Sequence, residues 1–289
     1  MKLSRSDQVY QGIVLVLLSL LALVCVIPFI HVTALSFSGM EAIVDGKVSF
    51  LPVDFQLDTY KLVLQDQAML RSIGFTAFVT VLGTAISLFV TICAAYPLSK
   101  SDLKGRTVFL QIIIFTMMFS GGMIPTYLIV KSLGLIDSVW ALILPGLINT
   151  FFMLIVKTYF TSTIPDSVEE SAMIDGCNEI RMLISIILPM SMPIIATIGL
   201  YYAVQYWNMF FAALLYINDP DKFTLQLKLR QLLILDQNSA SMNPEELGRQ
   251  VSESIKSATI IITAVPILLV YPWLQKHFVK GVMLGAVKG

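Results

Sequence analysis

Six long stretches of the chain contain no Asp, Glu, Lys or Arg. Each is almost continuously apolar and lacks the alternation of polar and apolar residues that is typical of a membrane β-barrel. Each is also at or near the roughly 20 residues that a helix needs to cross the hydrocarbon core of a bilayer. The stretches are Gln8–Met40, Ser72–Ser99, Thr107–Val130, Ser138–Val156, Met182–Asn218 and Ser257–Gln275. This pattern predicts an all-α integral membrane protein with six transmembrane helices.

The edges of the spans follow from where the apolar residues begin and end. We place the spans near Gly12–Leu35, Ser72–Leu98, Val108–Val130, Val139–Phe160, Pro189–Tyr216 and Ala258–Leu274. An even number of spans puts both termini on one side of the membrane. Residues 1–11 then form an N-terminal segment, and residues 12–289 form a single transmembrane domain. Loop 161–188 lies on the side of the termini, and the long loops 36–71 and 217–257 lie on the other side.

The charge distribution does not orient the spans by itself. Cytoplasmic loops of membrane proteins usually carry an excess of Lys and Arg. With the N-terminus inside, ten of these residues fall on inner segments and nine on outer ones. The assignment of sides therefore depends on a motif.

Composition agrees with a membrane protein and excludes other classes. Hydrophobic residues make up 56% of the 289 residues and charged residues only 13%, whereas about 25% of residues are charged in soluble domains. The formal net charge is zero, so the chain has no basic field to attract nucleic acid. The cysteines Cys25, Cys93 and Cys177 are far apart in the sequence, which argues against structural zinc and a disulfide framework.

The charge-free stretches lack the groups that would drive transport or catalysis. An ion-coupled carrier normally keeps an ionisable group within its spans to bind the coupling ion. Here the stretches contain a single imidazole, His31, which we interpret as an interfacial residue. The sequence has no phosphate-binding loop, no nucleophile elbow and no His-Glu-x-x-His zinc motif. We therefore predict no catalytic residue and no metal site, and energy for uphill transport would come from another subunit.

The loop between the fourth and fifth spans predicts two helices joined by a sharp turn. Ser167 can cap the first helix, with Glu170 three residues later as in a capping box. Gly176 suits the left-handed position that ends a helix, and Asn178 can cap the second helix. The first helix would present carboxylates beside the small and apolar side chains at 172–174. Such a surface is suited to a partner cleft with basic residues and an apolar wall.

The same loop resembles the EAA loop of permease subunits in binding-protein-dependent ABC importers. The resemblance rests on the spacing Glu170-Ser171-Ala172, three residues, Gly176, nine residues, Ile186, one residue, Leu188-Pro189. Ser171 stands where the family usually has Ala, and the two residues are nearly the same size. In that family the loop is the cytoplasmic coupling helix that sits in the ATPase subunit. The resemblance therefore implies that both termini are cytoplasmic.

Other stretches are similar to the maltose-type carbohydrate permeases, and most to their polysaccharide- and lipoprotein-associated branch. They are Phe50-Leu51-Pro52 with Tyr60, Gly121-Gly122-Met123-Ile124-Pro125-Thr126-Tyr127, Leu133-Gly134-Leu135 with Trp140, and Val279-Lys280-Gly281 through Gly285-Ala286-Val287-Lys288-Gly289. The resemblance implies the six-helix fold of a type I ABC importer permease in a bacterial plasma membrane. It also implies a sugar as the substrate, and the branch favours an oligosaccharide.

The resemblance implies a set of partners. The chain would pair with a second, different permease, two ATPase subunits holding ATP and Mg would bind below, and an extracytoplasmic sugar-binding protein would dock above. The chain itself would be no enzyme and would bind no cofactor. The loop Ile217–Lys256 would contact the binding protein, and Asn243-Pro244-Glu245-Glu246 predicts a helix start within it. The residues implied in ATPase coupling are Glu169, Glu170, Ser171, Ala172, Asp175, Gly176, Lys288 and Gly289.

Candidate sugar contacts lie mainly in the fifth span. Gln205 and Asn208 fall on one helix face, and Tyr202 and Tyr206 fall on the next. Aromatic rings can stack on sugar faces and amides can bind hydroxyls. Asn149 in the fourth span is a further candidate. The alternatives are an interfacial aromatic belt for the tyrosines and hydrogen bonds between helices for the amides.

Three other functions compete with sugar import. An ABC permease for another solute would share the EAA loop. An ion-coupled carrier would need a buried ionisable group or internal repeats with broken helices, and the charge-free stretches argue against it. An intramembrane enzyme would need a nucleophile and a base. The stretch Gly121–Tyr127 and the C-terminal ending favour a sugar permease.

Overall fold

The computed structural model describes residues 5–239 and 253–286, and their regular structure is helical. The α-helices, numbered in chain order, are α1 (Arg5–Ser36), α2 (Met40–Val44), α3 (Asp58–Gln65), α4 (Gln67–Ser99), α5 (Arg106–Met118), α6 (Met123–Ser132), α7 (Val139–Ile143), α8 (Thr150–Thr163), α9 (Asp166–Ile174), α10 (Glu179–Met182), α11 (Leu188–Met190), α12 (Met192–Trp207), α13 (Phe211–Tyr216), α14 (Leu225–Ser239) and α15 (Glu253–Ala286). Short 3-10 turns lie at Leu144–Gly146 and Pro220–Lys222, and a π-helical turn lies at Leu183–Ile187. The predicted all-α class is confirmed for these residues.

Two of the predicted spans are long, unbroken helices. Asp7–Ser36 within α1 and the whole of α4 are long and apolar enough to cross a membrane. Three further spans are possible if bent pairs of helices each count as one: α5 with α6, α7 and its 3-10 turn with α8, and Glu179–Met190 with α12, bent by 110°, 55° and 83°. The described residues thus contain two to five candidate spans. The predicted sixth span falls within α15, and the count of six stays a prediction.

The breaks have local causes that a hydropathy pattern does not reveal. Gly122 has a φ of +88°, a conformation that favours glycine, and it separates α5 from α6. Pro145 lies in the 3-10 turn before α8, and Ser191 lies between prolines at 189 and 193 that remove helical hydrogen bonds. Backbone geometry therefore interrupts each of the third, fourth and fifth predicted spans.

The chain divides into two compact units at Leu70, Leu227 and Val265. In the smaller unit, the segment after α1 folds back on the end of that helix. Ala34, Ala42 and Val48 form a small apolar core there. The Nδ1 atom of His31 lies 2.6 Å from the carbonyl oxygen of Ser49, so this histidine has a backbone partner.

The main core, in the larger unit, joins α4 to α12 through two buried tyrosines. The hydroxyl of Tyr206 hydrogen-bonds Ser87, and that of Tyr202 hydrogen-bonds Thr91, each at 2.8 Å. Both rings are at most 1% exposed. The two bonds are spaced one helical turn apart on each helix, so they fix the register of α12 against α4.

We expect Gly83→Ala to destabilise the protein, because a Cβ atom at this position would lie 2.7 Å from Cζ of Tyr206. The ring cannot turn away without losing its bond to Ser87. Overpacking of a core position typically costs about 1–3 kcal/mol. Gly74→Ala is the matched control, since a Cβ atom there would meet nothing within 4 Å in the same helix. Thermal unfolding in detergent measures both variants, and equal midpoints would contradict the close contact.

Segments that are predicted to lie on the outer side meet at one end of the larger unit. The carboxylate of Asp137 accepts hydrogen bonds from the backbone amides of Asn218 at 2.5 Å and Asp219 at 3.0 Å. These bonds lower the pKa of Asp137. Arg71 pairs with Asp221 beside them. Three predicted outer segments are thereby tied together.

Segments that are predicted to lie on the inner side also meet. Lys100 pairs with Glu169, and the hydroxyl of Thr161 donates to the carbonyl of Ser99 at 3.3 Å. These contacts join the end of α4 and the residue after it to α8 and α9.

Candidate functional site

The predicted helix pair of loop 161–188 is present, but its first helix begins differently from the prediction. Helix α9 starts at Asp166, directly after Pro165, and no side chain caps it. Ser167 lies inside the first turn, where its carbonyl accepts a hydrogen bond from the Ser171 hydroxyl at 2.7 Å. The predicted Ser167 cap is therefore wrong, because the extended backbone at Pro165 places the helix start two residues too early for it.

The turn after α9 follows the prediction. Gly176 has a φ of +76°, and the amides of Gly176 and Cys177 donate to the carbonyls of Met173 and Ala172 at 3.0 Å and 2.9 Å. This is the hydrogen-bond pattern of a glycine-ended helix. The side chain of Asn178 then accepts from the amide of Arg181 at 2.8 Å. The left-handed Gly176 and the Asn178 cap are both confirmed.

The exposed surface of α9 combines charge and apolar area. Glu170 is exposed, and beside it Met173 and Ile174 are 53% and 86% exposed. Apolar side chains so exposed at the end of a helix are suited to a partner surface. Ala172, in contrast, is 6% exposed and packs into the main core. The small residue therefore lets α9 lie close to its own protein rather than to a partner.

Glu169 and Glu170 differ in exposure although they are neighbours that line one cavity. The Oε2 atom of Glu169 lies 2.5 Å from Nζ of Lys100, and the two side chains are 20% and 17% exposed. Sequence reasoning did not identify Lys100. The sequence feature that could have identified Lys100 is its position, since it is the first charged residue after the charge-free stretch that ends at Ser99. Of the other residues implied in coupling, Lys288 and Gly289 lie outside the described residues, as does the predicted helix start at Asn243.

A groove with a volume of about 620 Å³ lies where the broken helices meet. Its lining includes residues from the α5–α6 break, the turn before α8 and the end of α12 with the break before α13: Ser120, Gly122, Pro145, Gly146, Gln205 and Asn208. Phe210, Phe211 and Tyr216 add aromatic surface. The described lining contains amides, hydroxyls and aromatic rings and no charged side chain.

The predicted sugar contacts divide into two groups in the structure. Gln205 and Asn208 line the groove and are exposed. The amide oxygen of Asn208 also accepts from Gln226 at 3.2 Å. Tyr202 and Tyr206 are buried between α4 and α12, as described above, so their rings act as packing groups here.

Asn149 belongs with the tyrosines. Its side-chain oxygen accepts from the amides of Phe151 and Phe152 at 3.0 Å and 3.3 Å, so it caps the start of α8. The backbone amide of Asn149 donates to the hydroxyl of Tyr202 at 3.0 Å. Its side chain thus serves local structure beside the groove.

Comparison with known proteins identifies the family. Residues 105–284 match the profile of the binding-protein-dependent transport system inner membrane component. The polygalacturonan/rhamnogalacturonan transport system permease protein YtcP of Bacillus subtilis (strain 168) is 48% identical over 94% of this chain and 96% of its own length. Protein LplC of the same strain is 50% identical over 92% of this chain and 90% of its own length.

A solved structure shares both sequence and fold with this chain. It is the crystal structure of a bacterial ABC transporter involved in the import of the acidic polysaccharide alginate, and one of its chains is 34% identical. The TM-score is 0.87, with 96% of this chain and 99% of that chain covered. The matches span nearly the whole chain and include the loop that carries α9. The chain therefore belongs to the family of inner membrane components of binding-protein-dependent transport systems.

Proposed function

We propose that this chain forms the translocation path for an oligosaccharide in an ATP-driven importer. The observation that carries the proposal is that the α5–α6 break and the turn before α8 open on one groove, which the end of α12 also lines. Non-helical backbone at membrane depth is tolerated where it is buried in protein or lines a water-filled cavity. In secondary transporters, too, broken helices surround the substrate site, and the absence of Asp, Glu, Lys and Arg from the six apolar stretches distinguishes this chain from an ion-coupled carrier.

The groove has the chemistry that a sugar requires. Gln205 and Asn208 offer amides that can bind hydroxyl groups, and Phe210 and Phe211 offer ring faces that can stack on the apolar faces of sugars. The relatives named for polygalacturonan, rhamnogalacturonan and alginate support a substrate built of several sugar units. We therefore place an oligosaccharide in this groove during transport.

In the proposed complex, α9 is the coupling helix that sits in an ATPase subunit. A second permease completes the membrane part, and two ATPase subunits bind ATP and Mg on the cytoplasmic side. An extracytoplasmic sugar-binding protein docks on the opposite face. Six spans with both termini cytoplasmic follow from this arrangement. The exposed Glu170, Met173 and Ile174 support it, because they form a charged and apolar surface on a rigid helix.

The mechanism requires the coupling helix to contact the closed and open ATPase dimers differently. A contact of equal strength in both states would not shift the equilibrium between an outward-facing and an inward-facing groove. Closure of the ATPase dimer would therefore move α9, and α9 would move the helices that line the groove.

The proposal is tested by purifying the chain from native membranes and measuring ATP hydrolysis in nanodiscs. We expect a second permease and an ATPase to co-purify, and we expect hydrolysis to rise only with the binding protein and one class of oligosaccharide. A panel of amino acids, peptides and metal ions serves as the control. Stimulation by one of these solutes would contradict the sugar path, and recovery of the chain without any ATPase would contradict the importer.

A further inference from the structure

Lys100, the residue that follows α4, is held against the coupling helix by three different contacts. Its Nζ atom lies 2.5 Å from Oε2 of Glu169, 4.7 Å from the centre of the Tyr96 ring and 4.0 Å from Sδ of Met182. A carboxylate, an aromatic face and a thioether thus surround one ammonium group. Because the side chains of Lys100 and Glu169 are mostly buried, water screens their attraction less than it screens a surface pair.

The end of α4 is also bonded to the helices on either side of α9. The hydroxyl of Tyr96 donates to Oε2 of Glu179, the first residue of α10, at 2.6 Å. The hydroxyl of Thr161 in α8 donates to the carbonyl of Ser99. The last turn of α4 and the following Lys100 therefore contact α8, α9 and α10.

The chain alone does not connect α9 to α4. Along the sequence, α9 is preceded by α8 and followed by α10, so the ion pair adds a connection that the covalent chain lacks. Helix α4 in turn holds α12 through the bonds of Ser87 and Thr91 to Tyr206 and Tyr202. Helix α12 ends at the groove, with Gln205 in its lining.

We propose that Lys100 is a positioning residue that passes the movement of the coupling helix to α4 through Glu169. This inference rests on the proposed function of α9. It assigns the two adjacent glutamates different roles: Glu169 binds within the chain, and Glu170 is presented to the ATPase. Coupling between distant sites is carried by packed and hydrogen-bonded elements of this kind. Here it is demonstrated if a change in the Lys100–Glu169 pair alters how ATP hydrolysis at one end drives sugar movement at the other.

The test measures two quantities in the reconstituted complex. The first is the ratio of sugar molecules transported to ATP molecules hydrolysed, and the second is the amount of complex that assembles. The variants are Lys100→Met, Glu169→Gln and the double variant. We expect each single change to lower this ratio at least about fivefold, the lower end of typical coupling between sites. We expect the double variant to match the single ones, because two residues that act through one contact do not lose it twice.

Two further variants serve as controls. Lys100→Arg keeps the positive charge and should keep most of the transport per ATP. Lys104→Met removes a charge from the same loop, where Lys104 is exposed, and should leave the ratio at the wild-type value. If Lys100→Met fails to assemble, Glu169→Gln, which is nearly isosteric, decides the question.

The results separate this inference from the proposed function. Wild-type ratios in both single variants would overturn the role of Lys100, as would a double variant in which the two losses multiply. A wild-type chain that binds no ATPase would instead overturn the proposed function itself. A pair that served stability alone would lower the amount of complex but leave the transport per ATP unchanged, and this outcome would also refute the inference.

Discussion

Glu170→Lys is expected to reduce sugar uptake to less than about a tenth of the wild-type rate, because changes at a buried interfacial charge pair typically cost about 2–5 kcal/mol. In the proposed complex, the Glu170 carboxylate enters a basic cleft of the ATPase subunit. Its exposed position on α9, beside Met173 and Ile174, makes it available for such a contact. Reversal of its charge would place two cations together. The complex would then assemble poorly, or it would hydrolyse ATP without moving sugar.

Co-purification of the ATPase and uptake of labelled sugar distinguish the two forms of this loss. Glu170→Gln removes the charge at nearly constant size and should give a smaller loss. Asp7→Lys reverses an exposed charge on the same predicted side of the protein, outside α9, and should retain uptake. Normal uptake and assembly in Glu170→Lys would show that α9 is not the coupling helix. An equal loss in Asp7→Lys would show that the effect is not specific to this helix.

The sequence predicted the helical class because uninterrupted apolar stretches without charge leave few alternatives in a membrane. It did not predict where the helices break. Gly122 and Pro145 lie within charge-free stretches of the sequence, so a hydropathy pattern includes them in a span. Whether a glycine adopts a positive φ, or a proline ends a helix, depends on the neighbouring helices. The breaks at Gly122 and Pro145 line the groove, so the feature that was missed is the one closest to the proposed function.

The coupling loop was predicted more fully than the sugar contacts. Gly176 and Asn178 act through their own backbone and that of nearby residues, so local sequence determines their roles. Tyr202 and Tyr206 depend on which face of α12 packs on α4, and a pattern of residues on one helix does not contain that information. The same limit applies to Glu169, whose partner lies on a different helix.

Gln205→Leu is expected to weaken sugar transport at least about tenfold, which corresponds to roughly 1.4 kcal/mol. The substitution removes an amide from the lining of the groove and leaves a side chain of similar size. If the amide binds a sugar hydroxyl, its removal leaves that hydroxyl without a hydrogen-bond partner in the groove. The loss of such a partner strongly weakens binding. Assembly and the ATP hydrolysis measured without sugar should remain, since Gln205 is exposed to the groove and lies outside the buried core.

The measurement is the maximal rate of sugar uptake with saturating amounts of sugar and binding protein. Gln111→Leu makes the same change in α5 at an exposed position outside the groove lining, and its transport should equal that of the wild type. A similar loss in both variants would attribute the effect to lipid contact rather than to sugar. Wild-type transport by Gln205→Leu would remove this residue from the sugar path. The groove would then have to bind sugar through Asn208, the hydroxyls of Ser120 and Thr126 and its aromatic rings, because these groups in its lining can also recognise a hydroxyl or a ring face.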